Sequence, residues 1–216
     1  MVVPSCRSRP RCVLGVGLQE RTGGHRLSDL AAGLHRRPEV GVVDDVTLLL
    51  GSDGPAVRQA FAQARQTAAD DDLLVFYYSG HSDERALLMG GLRLEYRELK
   101  KLIDGVTADV HIAILDSCAS GAFTRLKGGH KRPPFLVGDA ADVAGHAYLT
   151  SAAADENAQE SDSIGGSYFT HFLISGMRGG ADIDGDDMVT LDEAYRFAYD
   201  QTLRRTESTR AGAQHA

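Results

Sequence analysis

The sequence is poor in cysteine: Cys6, Cys12 and Cys118 are the three among 216 residues. Three cysteines cannot build a paired disulfide framework, and none stands at zinc-ligand spacing. Long apolar runs are missing too. Nothing approaches the roughly 18–20 residues that a membrane span requires. The apolar stretch Cys12–Leu18 follows an arginine-bearing start, but it is too short and glycine-rich for a signal peptide. Basic charge is also in deficit, with a net charge of -7. That disfavours the broad cationic surface that nucleic-acid backbones need. The expectation is a soluble, cytoplasmic chain with neither membrane nor nucleic acid as partner. No internal repeat or low-complexity tract is present, and the sequence says nothing about oligomeric state.

Hydrophobic residues make up 43% of the chain and charged ones 25%. The length suits one α/β domain with a sizeable core. Strand-like runs occur at Cys12–Gly17, Val46–Leu50, Leu73–Tyr78, Val110–Leu115 and Ala147–Ser151. Leu73–Tyr78 (LLVFYY) is continuously apolar, as strands buried on both faces are. Helical patterns fall at Arg26–Arg36, Pro55–Ala69, Glu95–Ile103, Tyr168–Arg178 and Leu191–Arg204. A hairpin is expected over Ala86–Met89 and Leu92–Leu94, turning at Gly90-Gly91. This alternation predicts a mostly parallel sheet with helices on both faces.

In such sheets functional residues gather at the carboxyl ends of strands. Leu73–Tyr78 runs into Ser79-Gly80-His81-Ser82, and Val110–Leu115 into Asp116-Ser117-Cys118-Ala119-Ser120-Gly121. If these strands are parallel neighbours, His81 and Cys118 share one edge. A thiolate is the nucleophile, and an imidazole can take the thiol proton and later protonate a leaving amine. The backbone N–H groups of Cys118 and Ser82 are candidate oxyanion donors. Taken singly, a cysteine after a buried strand is usually a core residue. The pairing is what singles these two out.

The wording of both segments resembles the caspase-like clan of cysteine peptidases, and within it the metacaspase and orthocaspase branch. Tyr77-Tyr78-Ser79-Gly80-His81 matches that branch's Y-S-G-H motif, and Asp116 to Gly121 matches its D-S-C-x-S-G motif. The hairpin after the histidine, Tyr148–Ala152 and the helix start Gly166–Thr170 are similar as well. The resemblance implies the three-layer caspase-haemoglobinase sandwich over residues 12–203. It divides into a large-subunit-like part (12–123), a basic loop (124–146) and a small-subunit-like part (147–203). Residues 1–11 and 205–216 are expected to be flexible tails. It also implies a cysteine endopeptidase acting on protein or peptide substrates and needing no cofactor. The sequence departs from the clan in three places: Ser82 stands where glycine is usual, the stretch between His81 and Cys118 is short, and no strand-like run follows Leu191–Arg204.

Asp116 lies two residues before Cys118. On a continuous strand both side chains would share a face, and a carboxylate there selects a cationic P1 side chain, Arg or Lys. In metacaspases the matching residue lines the S1 pocket with a second aspartate, whose counterpart by resemblance is Asp29. The alternative is a strand-end carboxylate bonded to local backbone N–H groups. Arg125, Lys127, Lys131 and Arg132 in the basic loop form either a solvated stretch or a self-cleavage site. Two other functions stay open: a caspase-like interaction module without activity, and another thiol amidase.

Residues 182–193 (DIDGDDMVTLDE) present Asp182, Asp184, Asp186, the Met188 carbonyl, Thr190 and Glu193 at EF-hand spacing. Asp187 occupies the position normally held by glycine. Ca2+ is therefore a candidate ligand. The alternative is a solvated turn leading into a Thr190–Glu193 capping box. Gly15-Val16-Gly17 lacks the third glycine of a dinucleotide loop, and there is neither a G-x-S-x-G elbow nor a P-loop.

Overall fold

The computed structural model describes residues 12–19, 45–50, 54–70, 72–89, 92–124, 145–209 and 211–216. The helix expected at Arg26–Arg36, Asp29, the Gly90-Gly91 turn and the four basic-loop residues lie outside them.

The main sheet has five parallel strands in the order β2-β1-β3-β7-β8. They are β1 (Cys12–Gln19), β2 (Asp45–Leu50), β3 (Leu73–Ser79), β7 (Val110–Asp116) and β8 (Gly145–Thr150). The order reverses direction between β1 and β3, as in other doubly wound sheets. Among the described residues four α-helices accompany the sheet: α1 (Gly54–Thr67), α2 (Tyr96–Asp104), α3 (Tyr168–Ser175) and α4 (Leu191–Thr206).

The alternation of side chains along β3 explains the layers. Leu74, Phe76 and Tyr78 point to one face, where they join Val57 and Phe61 of α1 and Leu99 and Ile103 of α2. Val75 and Tyr77 point to the other, against Phe169, Leu173 and Ile174 of α3 and Ala194 and Ala198 of α4. Among the described residues each face is covered by two helices, so β3 carries apolar residues from Leu73 to Tyr78. This is a three-layer α/β architecture of the kind the sequence resemblance implies.

Three features depart from the sequence reading. His81–Ser82 forms a short strand, β4, which pairs antiparallel with β5 (Ala86–Met89), itself paired with β6 (Leu92–Glu95). The histidine thus sits on a small three-stranded sheet, one strand more than the expected hairpin. The helix expected to run to Arg178 stops at Ser175 and continues as a wider π turn, Gly176–Gly180, where Gly179 takes φ +110°. The C-terminal residues expected to form a flexible tail are packed: α4 runs on to Thr206, and Gln214 is fully buried. Among the described residues no strand follows α4.

Candidate active site

β3 and β7 are direct neighbours in register, with Ser79 opposite Asp116. The segments bearing His81 and Cys118 therefore leave the sheet side by side. Two hydrogen bonds stitch them together on either side of His81. The Gly80 N–H donates to the Asp116 carbonyl at 3.2 Å. The Ser82 hydroxyl donates to the Cys118 carbonyl and lies 2.7 Å from Ser117 Oγ. His81 is exposed, and Cys118 is a half-buried free thiol.

The histidine segment has a physical reason for each of its residues. Tyr78 folds its hydroxyl back onto the His81 carbonyl at 2.6 Å and the Leu88 carbonyl at 3.0 Å. A Cβ at Gly80 would stand 2.7 Å from that hydroxyl, so only glycine fits. Tyr77 points to the opposite face, and its hydroxyl meets Thr170 Oγ1 at 2.9 Å.

The cysteine segment is fixed with similar density. β7 ends at Asp116, and the chain then bends. The premise of a continuous strand from Asp116 to Cys118 therefore does not hold, and the two side chains do not share a face by strand alternation. Ala119 adopts a left-handed conformation, φ +52°, which turns the chain sharply after the thiol. The backbone N–H groups flanking Cys118 are both held by the loop after β8. Ser117 N–H donates to Ser151 Oγ at 3.1 Å, and Ala119 N–H to the Glu156 carbonyl at 2.8 Å. Ser120 Oγ bonds both the N–H and the carbonyl of Ala152 at 3.3 Å. Gly121 approaches that loop so closely that a Cβ would lie 2.9 Å from Ala154 N.

Asp116 is 3% exposed. Its Oδ2 accepts from the hydroxyls of Ser167 and Thr170, the latter at 2.5 Å. Ser167 is also the N-cap of α3 and accepts from Thr170 N at 3.1 Å. The carboxylate consequently sits at a helix N-terminus, where the macrodipole favours an anion. Tyr77 extends the chain of hydroxyls, Tyr77 to Thr170 to Asp116, and such chains strengthen one another by polarisation. The partners of Asp116 Oδ2 are hydroxyls from a distant element. Burial holds the Tyr96 phenol above its ordinary pKa; the Ser82 hydroxyl opposes that shift and the Asp83 carboxylate adds to it.

Ser167, Thr170, Ser151 and Glu156 were not singled out from sequence. The helix start at Gly166–Thr170 was visible, but its link to Asp116 spans about fifty residues and has no local signal.

At the acidic loop, ligand oxygens of Asp182, Asp184 and Asp186 lie within 4.8 Å of one another. Asp187 has φ +64°, the conformation that the usual glycine would supply. The oxygens are engaged with the loop itself: Asp182 accepts from Gly185 and Asp187, and Asp186 accepts from Met188. Glu193 forms the capping box with Thr190, accepting from its N–H at 2.8 Å.

A family model described as "Caspase domain" matches residues 39–197. The chain belongs to the caspase-domain family of cysteine peptidases. Its fold is similar to that of caspase-1 from Spodoptera frugiperda, with a TM-score of 0.66 at 15% identity; the match covers 96% of this chain and 86% of the caspase. Among curated proteins none matches.

Proposed function

We propose that this chain is a cysteine endopeptidase of the metacaspase and orthocaspase type that cleaves after Arg or Lys, with Cys118 as nucleophile and His81 as acid/base. The observation that carries the reading is the pair of hydrogen bonds that holds the His81 segment against the Cys118 segment. Bonds at Gly80 and Ser82 tie the two segments at one sheet edge, which supports an imidazole and a thiol acting together there.

In the reaction, His81 takes the Cys118 proton and the sulfur attacks the scissile carbonyl carbon. The carbonyl π electrons move to oxygen, where the N–H groups of Cys118 and Ser82 are the proposed donors. Collapse of this intermediate breaks the C–N bond, and the imidazolium protonates the leaving amine. Water, deprotonated by His81, then hydrolyses the thioester and restores the thiol. Asp116 supplies the negative charge that favours a cationic P1 side chain. It lies at the α3 N-terminus, where the macrodipole favours an anion, and its Oδ2 accepts from the Ser167 and Thr170 hydroxyls. Asp29 is the proposed second carboxylate, on the resemblance alone.

The test is hydrolysis of fluorogenic acyl-Arg, acyl-Lys and acyl-Asp amides by wild type and Cys118→Ala. Arg and Lys amides cleaved by wild type only support the reading. Cleavage of the Asp amide alone would refute the specificity, and equal activity in Cys118→Ala would refute the nucleophile.

A further inference from the structure

The loop that follows β8, residues 151–159, holds the N–H groups on both sides of Cys118. Ser151 receives Ser117 N–H, and the Glu156 carbonyl receives Ala119 N–H. What holds the loop in turn is the segment after α4. There the chain reverses at Gly212, φ +86°. Gln214 N–H donates to Thr206 Oγ1 at 2.9 Å, which brings its side chain inward.

That side chain is 0% exposed and joins both ends of the loop. Its Oε1 accepts from Gln159 N–H at 2.7 Å, and its Nε2 donates to the Ser151 carbonyl. Around it, Gln159 Nε2 donates to the Gly212 carbonyl at 2.7 Å, and His215 N–H donates to Glu156 Oε2 at 2.7 Å. A buried amide with both ends bonded is costly to disturb, because each orphaned partner loses its compensation for leaving water. A single planar amide thus fixes the span between residues 151 and 159, and the middle and start of that span set the backbone around Cys118.

We infer that Gln214 is a positioning residue for the nucleophile: it staples the 151–159 loop and through it sets the geometry at Cys118. The inference rests on the reading of Cys118 as the nucleophile. Gln214 bonds Ser151 and Gln159 and acts through the loop that they bound, in which Glu156 lies.

The experiment compares wild type, Gln214→Ala, Gln214→Glu and a core control, Val57→Ala, well below their melting temperatures. Val57 is fully buried on α1, away from the loop. Two readouts are taken: kcat and KM on an acyl-Arg amide, and the rate at which iodoacetamide alkylates Cys118, followed by mass spectrometry. Gln214→Ala should lower kcat by about tenfold or more with less effect on KM, as small misplacements of reacting groups do. It should also change the Cys118 alkylation rate severalfold. Gln214→Glu keeps the acceptor for Gln159 but loses the donor to Ser151, so it should behave like Gln214→Ala. Val57→Ala should lower the melting temperature and leave both readouts near wild type. A Gln214→Ala protein that is merely less stable, with kcat and alkylation matching Val57→Ala, overturns the inference. If wild type cleaves no Arg or Lys amide, the proposed function fails, and the alkylation arm alone decides whether Gln214 positions Cys118.

Discussion

The hydroxyl of Ser82 donates to the carbonyl of Cys118. Ser82 immediately follows His81, so this bond ties the His81 segment to the Cys118 segment by a side chain. The related peptidases usually have glycine there and lack that side chain. The residue that departs from the clan's usual glycine therefore adds a tether.

Ser82→Gly should remove the tether while keeping the backbone N–H. A neutral, partly buried hydrogen bond of this kind is worth about 1 kcal/mol. The melting temperature should fall slightly, and kcat on an Arg amide should fall by roughly threefold to tenfold as the two segments loosen. Ser82→Ala should match Ser82→Gly. Thermal melts with steady-state kinetics check this, and an unchanged kcat in both variants would remove Ser82 from the account.

Asp116→Asn keeps the shape and an acceptor for Ser167 and Thr170 but removes the charge. Truncating one partner of a desolvated charge pair costs about 3 kcal/mol, or about a hundredfold in kcat/KM for Arg amides. Stability should change little. Alkylation of Cys118 by uncharged iodoacetamide should change much less than Arg cleavage. If Arg cleavage were retained at the wild-type level, Asp116 would be a structural cap for α3 only.

Gly80→Ala should destabilise the site by about 1–3 kcal/mol, the usual cost of overpacking, because the new Cβ meets the Tyr78 hydroxyl at 2.7 Å. Tyr78→Phe removes that hydroxyl together with its bonds to His81 and Leu88. The two substitutions should be less than additive when combined, since they share one contact. Denaturant melts of the double-mutant cycle measure the coupling.

Glu156 links the C-terminal segment to the loop that carries Cys118. Burial pushes its carboxyl up, but the His215 N–H, the His215 ring and Ala153 N–H together hold it below its ordinary value of 4.5. A depressed carboxylate contributes stability that is present above the unfolded-state pKa and lost as pH falls through the folded one. Acidifying below about 4.5 should therefore loosen the docked segment. Glu156→Gln should flatten that part of the stability profile. Melting temperatures measured from neutral pH down to strongly acidic buffer test this; identical slopes in both proteins would contradict it.

Much of this fold was legible because the strands are short apolar runs bounded by turn residues. Leu73–Tyr78 and Val110–Leu115 show their two-face burial directly, and the neighbouring His81 and Cys118 segments follow from it. Less legible were contacts made across long sequence separations. Nothing near Asp116 announces Ser167 and Thr170, and nothing near Gln214 announces Ser151. The strand-face argument for Asp116 and Cys118 went astray because β7 ends at Asp116 and the left-handed Ala119 turns the chain. The C-terminal residues read as a tail because they are polar and lack periodicity. Their order comes from side-chain amide and hydroxyl bonds, which leave no periodic trace.

The most direct test of the central claim is labelling with an Arg-based chloromethylketone, followed by peptide mapping, in wild type, Cys118→Ala and His81→Ala. The account predicts one adduct, on Cys118, absent in Cys118→Ala, strongly slowed in His81→Ala, and outcompeted by Arg peptides but not by Asp peptides. Labelling that persists in Cys118→Ala, or competition by Asp peptides alone, would contradict it.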